Sequence, residues 1–226
     1  MELSPKIMSL IREVLDAFDA GMVKANYDQV GVYDEGPGRE KVISYGRPQV
    51  TELYGLNKLV ENYVDANGVY SQELKPYIPK IGNEPLWREQ NFLSLLSEAG
   101  KSDPIMRQLQ NEFYEMQLLF PALKWAQSNG FALPLSALII CDSFTHSGGM
   151  PATLVVQVKE ALPKQGGDEM TWMIVYVEKR RKWLEKLPGG YRKKNQLRMD
   201  FLQNEIKRKN WMLEVLPLVV GDAVIE

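Results

Sequence analysis

Two carboxyl side chains near the start of the sequence, Asp19 and Glu35, are spaced as a general acid and a general base could be. Asp19 closes a run with helical periodicity, where the negative end of the helix dipole and partial burial favour the protonated form of an acid. Glu35 lies in the glycine-rich stretch 34–38, where water keeps a carboxylate ionised. Such a pair can cleave a glycosidic bond, since one acid protonates the leaving oxygen while the other acts on the opposite face of the sugar. Taken singly, Asp19 is more often a solvated helix-end acid and Glu35 a plain turn residue.

The segments around these acids predict a helix, a loop and a small hairpin. Ser4 before Pro5 is an N-cap followed by a first-turn proline, and apolar residues keep helical spacing until Gly21. The turn residues 34–38 and the short strand 41–46 follow. From Pro48 a second helix is predicted to run to about residue 67.

The rest of the chain is predicted to be mainly helical, with an extended tail. Helical patterns cover residues 85–99, 104–129, 133–144, a stretch around residue 154, 168–187 and 191–209, whereas 211–225 is extended in character. The pattern indicates a mainly α fold of the α+β kind, with two helical lobes and a small β-hairpin. Since no linker is evident, we expect one domain over residues 1–226, either whole or cut from a longer protein.

Composition excludes several classes of function. A formal net charge of -2 argues against a nucleic-acid binder, and the basic run 179–182 is interpreted as a solvated helix face. Cys141 stands alone in an apolar segment and predicts a buried wall position rather than a nucleophile. With one cysteine and one histidine, no metal or other cofactor is expected. No apolar run is long enough to insert into a membrane, and no signal peptide is seen.

A series of motifs along the whole chain resembles the chitosanases of glycoside hydrolase family 46, which belong to the lysozyme-like superfamily. The motifs are Tyr33-Asp34-Glu35-Gly36-Pro37-Gly38, Ile43-Ser44-Tyr45-Gly46-Arg47, Asp103-Pro104 with Gln108, Gln110 and Asn111, Phe120-Pro121-Ala122, Asp142 with His146-Ser147-Gly148, Gln165-Gly166-Gly167-Asp168-Glu169, and Gly189 to Trp211 with its arginines. The resemblance implies a lysozyme-like fold with the hairpin beside an active-site cleft.

The resemblance also implies roles for the acids. It makes Asp19 the general acid and Glu35 the general base of an inverting reaction, although the family usually has Glu first and Asp second. Asp34 is an alternative base. Glu52, predicted on the first turn of the second helix, matches a sugar-binding acid and is an alternative partner of Glu35; helix N-terminal charge stabilisation would explain it equally well. Ser44 matches a hydroxyl position that could hold the attacking water.

Further residues are predicted to bind the substrate. Arg47, Gln49 and Asp142 are expected along the cleft, together with Asp34. His146, which follows a buried helix, is included among them, with a structural hydrogen-bonding role favoured over proton transfer because glycosidases of this layout need no imidazole.

The expected substrate is a β-1,4-linked aminosugar polymer, with peptidoglycan favoured and chitosan as the alternative. The absence of a signal peptide and of disulfides suits a lysozyme that a phage or an injection-type secretion apparatus delivers to the periplasm or the cell exterior. A wall-binding module that has lost catalysis is a further alternative. We expect a monomer.

Overall fold

The computed structural model describes residues 3–34, 41–186 and 193–226, with only the backbone for Asp34 and Lys194. The chain divides into two compact units. Unit 1 comprises Met1–Ala25 and Met116–Glu226, and unit 2 comprises Asn26–Glu115.

The helices and strands of the described residues follow in chain order. They begin with α1 (Pro5–Ala20), β1 (Val30–Asp34), β2 (Lys41–Tyr45), β3 (Val50–Thr51), α2 (Leu56–Asp65), α3 (Ser71–Leu74), 3-10 turns at Lys75–Lys80 and Leu86–Arg88, α4 (Gln90–Ser102) and α5 (Pro104–Tyr114). They continue with a π-helical segment (Glu115–Leu119), α6 (Phe120–Ser128), α7 (Pro134–Ser147), α8 (Ala152–Val155), a 3-10 turn at Pro163–Gln165, α9 (Glu169–Glu185), α10 (Lys193–Lys207), β4 (Leu218–Val220) and β5 (Ala223–Ile225). This combination of many helices and few short strands confirms the predicted mainly helical α+β fold class.

Helix α1 begins and ends where the sequence predicts. The Ser4 hydroxyl accepts the Ile7 N–H at 3.3 Å, which satisfies one of the otherwise unpaired first-turn amides. Gly21, with φ of 72°, closes the helix by donating its N–H to the Ala17 carbonyl at 3.0 Å. One face of the helix is buried from Leu10 to Phe18. Asp19 is therefore the penultimate residue of a firmly packed helix.

The sheet of unit 2 has the antiparallel order β1-β2-β3. Here the predicted start of the second helix at Pro48 is wrong, because Val50 and Thr51 pair with Tyr45 and Ser44 as strand β3. Gly55 then has φ of 86°, which a continuous helix does not tolerate, so α2 begins only at Leu56.

A buried hydrogen-bond group joins α2 to α5 within unit 2. The Tyr63 hydroxyl donates to Asp103 Oδ2 at 2.5 Å and accepts the Tyr70 N–H at 3.0 Å. Val69 N–H donates to the same carboxylate oxygen at 2.7 Å, while Ile105 N–H donates to Oδ1 at 2.9 Å. Burial alone would raise the pKa of Asp103, but these hydrogen bonds outweigh it and lower the pKa.

Unit 1 is built around α7, whose residues from Pro134 to Ser143 are all buried. Cys141 is among them, as predicted. Helix α9 packs against α7, and the β4 and β5 hairpin packs against α1. In the described part of the chain, no helix combines the length and the apolar character that crossing a membrane requires.

We predict that Tyr63→Phe lowers the free energy of unfolding by about 1–3 kcal/mol, because it deprives the buried Asp103 carboxylate and the Tyr70 N–H of a partner. Urea denaturation measures the change. The matched control is Tyr70→Phe, which removes only an exposed hydroxyl contact to Ser102 and should change stability by less than about 0.5 kcal/mol. Equal losses in the two variants would contradict the prediction.

Candidate active site

Asp19 pairs with an arginine that is almost wholly buried. Arg198, on α10, donates from Nη2 to Asp19 Oδ1 at 2.8 Å. The arginine side chain is 2% exposed, whereas that of Asp19 is 36% exposed. The acid is therefore held from the protein side while part of it remains open to solvent. A cation at this distance favours the ionised form of a carboxylate, an effect that opposes the helix dipole and burial.

Behind this pair lies Asp142, which is fully buried on α7. Its Oδ1 lies 2.6 Å from Arg198 Nε, and its Oδ2 pairs with Nη1 of Arg180 on α9. Burial alone would raise the pKa of Asp142, but the charges of Arg180 and Arg198 outweigh it and lower the pKa. Because Asp142 is buried, the substrate contact predicted for it does not fit the structure. Its carboxylate instead holds the arginine that contacts Asp19.

His146 lies partly buried at the end of α7, close to the same charges. Burial of the ring and the nearby Arg198 and Arg180 charges lower the pKa of His146 to about 3, although Asp142 and a hydrogen bond with Asn195 oppose the shift. The imidazole is therefore neutral near pH 7. This placement is in line with the structural role that the sequence favours.

Ser44 lies on the middle strand of the sheet in unit 2 and is 4% exposed. It faces Gly31 on β1 and Thr51 on β3. A Cβ atom on Gly31 would lie 2.7 Å from the Ser44 hydroxyl oxygen, so only glycine leaves room for that hydroxyl. The water-holding role predicted for Ser44 stays a prediction.

Glu52 lies in the turn after β3 and not on the first turn of a helix. Its Oε2 accepts the Ile43 N–H at 3.0 Å, so the side chain is directed back along the sheet. Stabilisation of a helix N-terminus, the simpler explanation of this residue, is thereby wrong. The carboxylate is instead held beside strand β2, by the residue that precedes Ser44.

The turn after β2 is held by α5 through Gln110, which is 1% exposed. Gln110 Oε1 accepts the Arg47 N–H at 2.7 Å, and its Nε2 donates to the Tyr27 carbonyl at 2.9 Å. The Arg47 guanidinium donates to Asn111 Oδ1 at 2.9 Å and lies 4.7 Å from the centre of the Tyr114 ring. Arg47 is therefore positioned by three residues of one helix.

For the remaining predicted site residues, the structure gives only their position in the chain or their exposure. Gln49 is exposed in the turn between β2 and β3. Asp34 ends β1, and Glu35 lies outside the described residues, so the predicted base stays a prediction. Among the described residues, no group of three or more histidine, cysteine, aspartate or glutamate side chains is arranged to hold a metal ion.

Sequence reasoning missed Arg180 and Arg198 as site residues. The interpretation of residues 179–182 as a solvated face is wrong for Arg180, which is fully buried. The sequence does contain a signal for the burial of Arg180, because it follows Trp172 and Tyr176 at four-residue spacing on the buried stripe of α9. A charge on an apolar stripe needs a buried partner, and Asp142 is the acid within the apolar α7.

We predict that Asp142→Asn lowers the free energy of unfolding by about 3–5 kcal/mol, because the buried charges of Arg180 and Arg198 would lose the carboxylate that pairs with both. Chemical denaturation measures the loss. Asp200→Asn is the matched control, since Asp200 pairs with Arg181 at 2.7 Å but is 52% exposed and should contribute less than about 1 kcal/mol. A loss in Asp142→Asn no larger than that of the control would refute the role of the buried group.

We predict that His146 stays unprotonated until the pH approaches 3. The unfolded chain takes up this proton near pH 6.5, so the folded state loses stability as the pH falls from about 6.5 towards 3. Since the chain has one histidine, the imidazole signal in an NMR titration is unambiguous. His146→Gln should reduce the acid sensitivity in this range, and a titration near 6.5 in the folded protein would show the prediction to be wrong.

The fold is shared with known chitosanases. No protein-family model matches the sequence, and comparison with curated proteins finds no match. Among solved structures, a native chitosanase from Bacillus subtilis matches with a TM-score of 0.83 and 20% identity over 100% of both chains. A mutant of a Bacillus subtilis chitosanase complexed with 6 GlcN matches with a TM-score of 0.81 and 21% identity over 100% of both chains.

A further match is the glycoside hydrolase family 46 chitosanase of Gynuella sunshinyii in complex with chitotetraose. Its TM-score is 0.81 at 20% identity, covering 96% of this chain and 94% of that chain. The resemblance seen in the motifs is thereby confirmed at the level of the fold. This chain has the lysozyme-like fold of the family 46 chitosanases.

Proposed function

We propose that this protein is a glycoside hydrolase that cleaves β-1,4 linkages in chitosan. The observation that carries the proposal is the match of the whole chain to chitosanases at a TM-score of 0.83. The carboxyl group at the end of α1 adds to it, because it is partly exposed to solvent and its position is fixed by a buried arginine.

In this proposal Asp19 donates a proton to the oxygen of the leaving sugar. As the proton leaves, the carboxylate becomes ionised beside Arg198, whose Nη2 is already 2.8 Å away. The contact is a hydrogen bond to a neutral acid before the transfer and an ion pair after it, so it stabilises the transition state more than the bound substrate. Asp142 helps to keep the guanidinium in place, since its Oδ1 lies 2.6 Å from Arg198 Nε while Asp19 contacts Nη2.

We assign the other half of the reaction to further residues of the motifs. Glu35 removes a proton from the attacking water, with Asp34 as the alternative base, and Ser44 holds that water. Glu52 and Arg47 bind the sugar, with Gln49 beside them. The contacts that fix Glu52 to the Ile43 N–H and Arg47 to Asn111 support these roles, because binding groups must be held before the substrate arrives.

Chitosan replaces peptidoglycan as the favoured substrate. The similar structures are of chitosanases, one of them in complex with chitotetraose and another with 6 GlcN, and this favours chitosan. Peptidoglycan hydrolysis, a catalytically inactive wall-binding module and specialised delivery to the periplasm or the cell exterior stay predictions. All three remain open to experiment.

We predict that the purified protein releases reducing ends from chitosan, and that Asp19→Asn and Glu35→Gln each lower kcat by at least about 100-fold, the usual contribution of a general acid or base. Glu52→Gln should raise KM more than it lowers kcat, because Glu52 is assigned to binding. Reducing-end assays with chitosan and with peptidoglycan measure the rates, and mass spectrometry identifies the products.

The matched controls are Asp65→Asn and Glu73→Gln, which alter exposed acids of the same unit as Glu35. Both should keep the activity of the parent protein. If Asp19→Asn and Glu35→Gln also keep it, the assigned acids are wrong. If the parent cleaves only peptidoglycan, the substrate is wrong. If it cleaves neither polymer but sediments with one of them, the binding module is the better description.

A further inference from the structure

The turn between β3 and α2 is closed by hydrogen bonds from both ends. Thr51 N–H donates to the Tyr54 carbonyl at 2.8 Å, and Tyr54 N–H donates to the Thr51 carbonyl at 2.9 Å. The Thr51 hydroxyl lies 3.1 Å from the same Tyr54 nitrogen and accepts from it as well. The backbone of this turn is therefore held in one conformation.

Two large side chains with mainly apolar surface are exposed to solvent at this turn. Leu53 is 62% exposed and Tyr54 is 53% exposed. The Tyr54 ring meets Phe113 of α5 edge to face, with ring centres 5.9 Å apart and planes at 77°. A Cβ atom on Gly55 would lie 2.5 Å from the Phe113 ring, so glycine is what allows the turn to lie so close to that ring.

This arrangement fixes an aromatic ring without burying it. Edge-to-face contact with Phe113 restricts the orientation of the Tyr54 ring, yet about half of the side chain still contacts solvent. A tyrosine restrained in this way offers apolar area at a small cost in conformational entropy when a ligand binds. The pair of Leu53 and Tyr54 is thus better suited to binding than to stabilising the fold.

We propose that Tyr54 and Leu53 form a binding site for one glucosamine ring of the polymer, a site that rests on the proposed function. The C–H face of a pyranose packs on an aromatic face, and an amino group that carries a positive charge adds attraction to the ring.

The charge of unit 2 favours the same ligand. Asn26–Glu115 contains 14 acidic and 9 basic side chains, a net charge of −5, so its field attracts a cationic polymer. A protein partner would need roughly 800 Å² of surface on each side. Two side chains fall well below that, whereas they match the size of one sugar ring.

The test compares kinetic constants on chitosan for the parent, Tyr54→Ala, Tyr54→Phe and Val69→Ala. Loss of the ring should raise KM about tenfold with little change in kcat, the size expected for one stacked cationic ring. Tyr54→Phe keeps the ring face and should stay close to the parent. Val69→Ala is the matched control, because Val69 is 72% exposed in the same unit. A thermal melt checks that each variant is folded.

A second measurement separates this inference from the proposed function. Chitotetraose is titrated into the parent and Tyr54→Ala, and the tyrosine ring signals are followed by NMR. Cleavage by the parent with an unchanged KM in Tyr54→Ala overturns the site and leaves the proposed function standing. Binding that depends on Tyr54 in a protein that cleaves nothing supports the site and overturns the proposed function. If neither cleavage nor binding occurs, both are overturned.

Discussion

The buried carboxylate of Asp142 is the interaction on which unit 1 depends. It accepts from Arg180 on α9 and lies 2.6 Å from Arg198 Nε on α10, and Arg198 in turn contacts Asp19 on α1. Four helices are thus joined through charges that could not remain buried separately, because an isolated ion in a protein interior is strongly unfavourable. The same contacts determine where the Asp19 carboxylate lies. Stability and the position of the acid therefore have one cause.

In unit 2, the polar side chains are held in position mainly by side-chain amides and backbone N–H groups instead of buried arginines. Gln110 fixes the turn after β2 with its amide, and Glu52 accepts from a strand amide. Glycine makes two of these close contacts possible, since Gly31 leaves room for the Ser44 hydroxyl and Gly46 leaves room for the Gln110 side chain. The polar groups of this unit are set by backbone contacts, which explains why their placement tolerates little change in side-chain volume.

Local signals in the sequence were sufficient for the first helix and for the fold class. The boundaries of α1 follow from the capping preferences of Ser4, Pro5 and Gly21. The order of the motifs indicates the lysozyme-like fold that the comparisons support. The start of α2 was missed because Val50 and Leu53 fit helical spacing. Pairing with β2 decided the conformation of Val50, and that contact is not local in the sequence.

Within the candidate site, types of residue were easier to predict than partners. Asp19 was found from its place at the end of a helix, but its contact with Arg198 joins residues 179 positions apart. Burial of Arg180 could have been inferred from helical periodicity, whereas its pairing with Asp142 required the packing of α9 on α7. Glu35 lies outside the described residues, so its role depends on experiment.

The two units also differ in how the chain reaches them. Unit 2 is one continuous stretch, whereas unit 1 combines Met1–Ala25 with Met116–Glu226. Helix α1 packs against α7, α10 and the β4 and β5 hairpin, which all follow unit 2 in the chain and leave the ribosome after it. During synthesis we therefore expect unit 2 to fold before α1 packs against the rest of unit 1. Asp19 would be the last of the proposed catalytic groups to reach its final position.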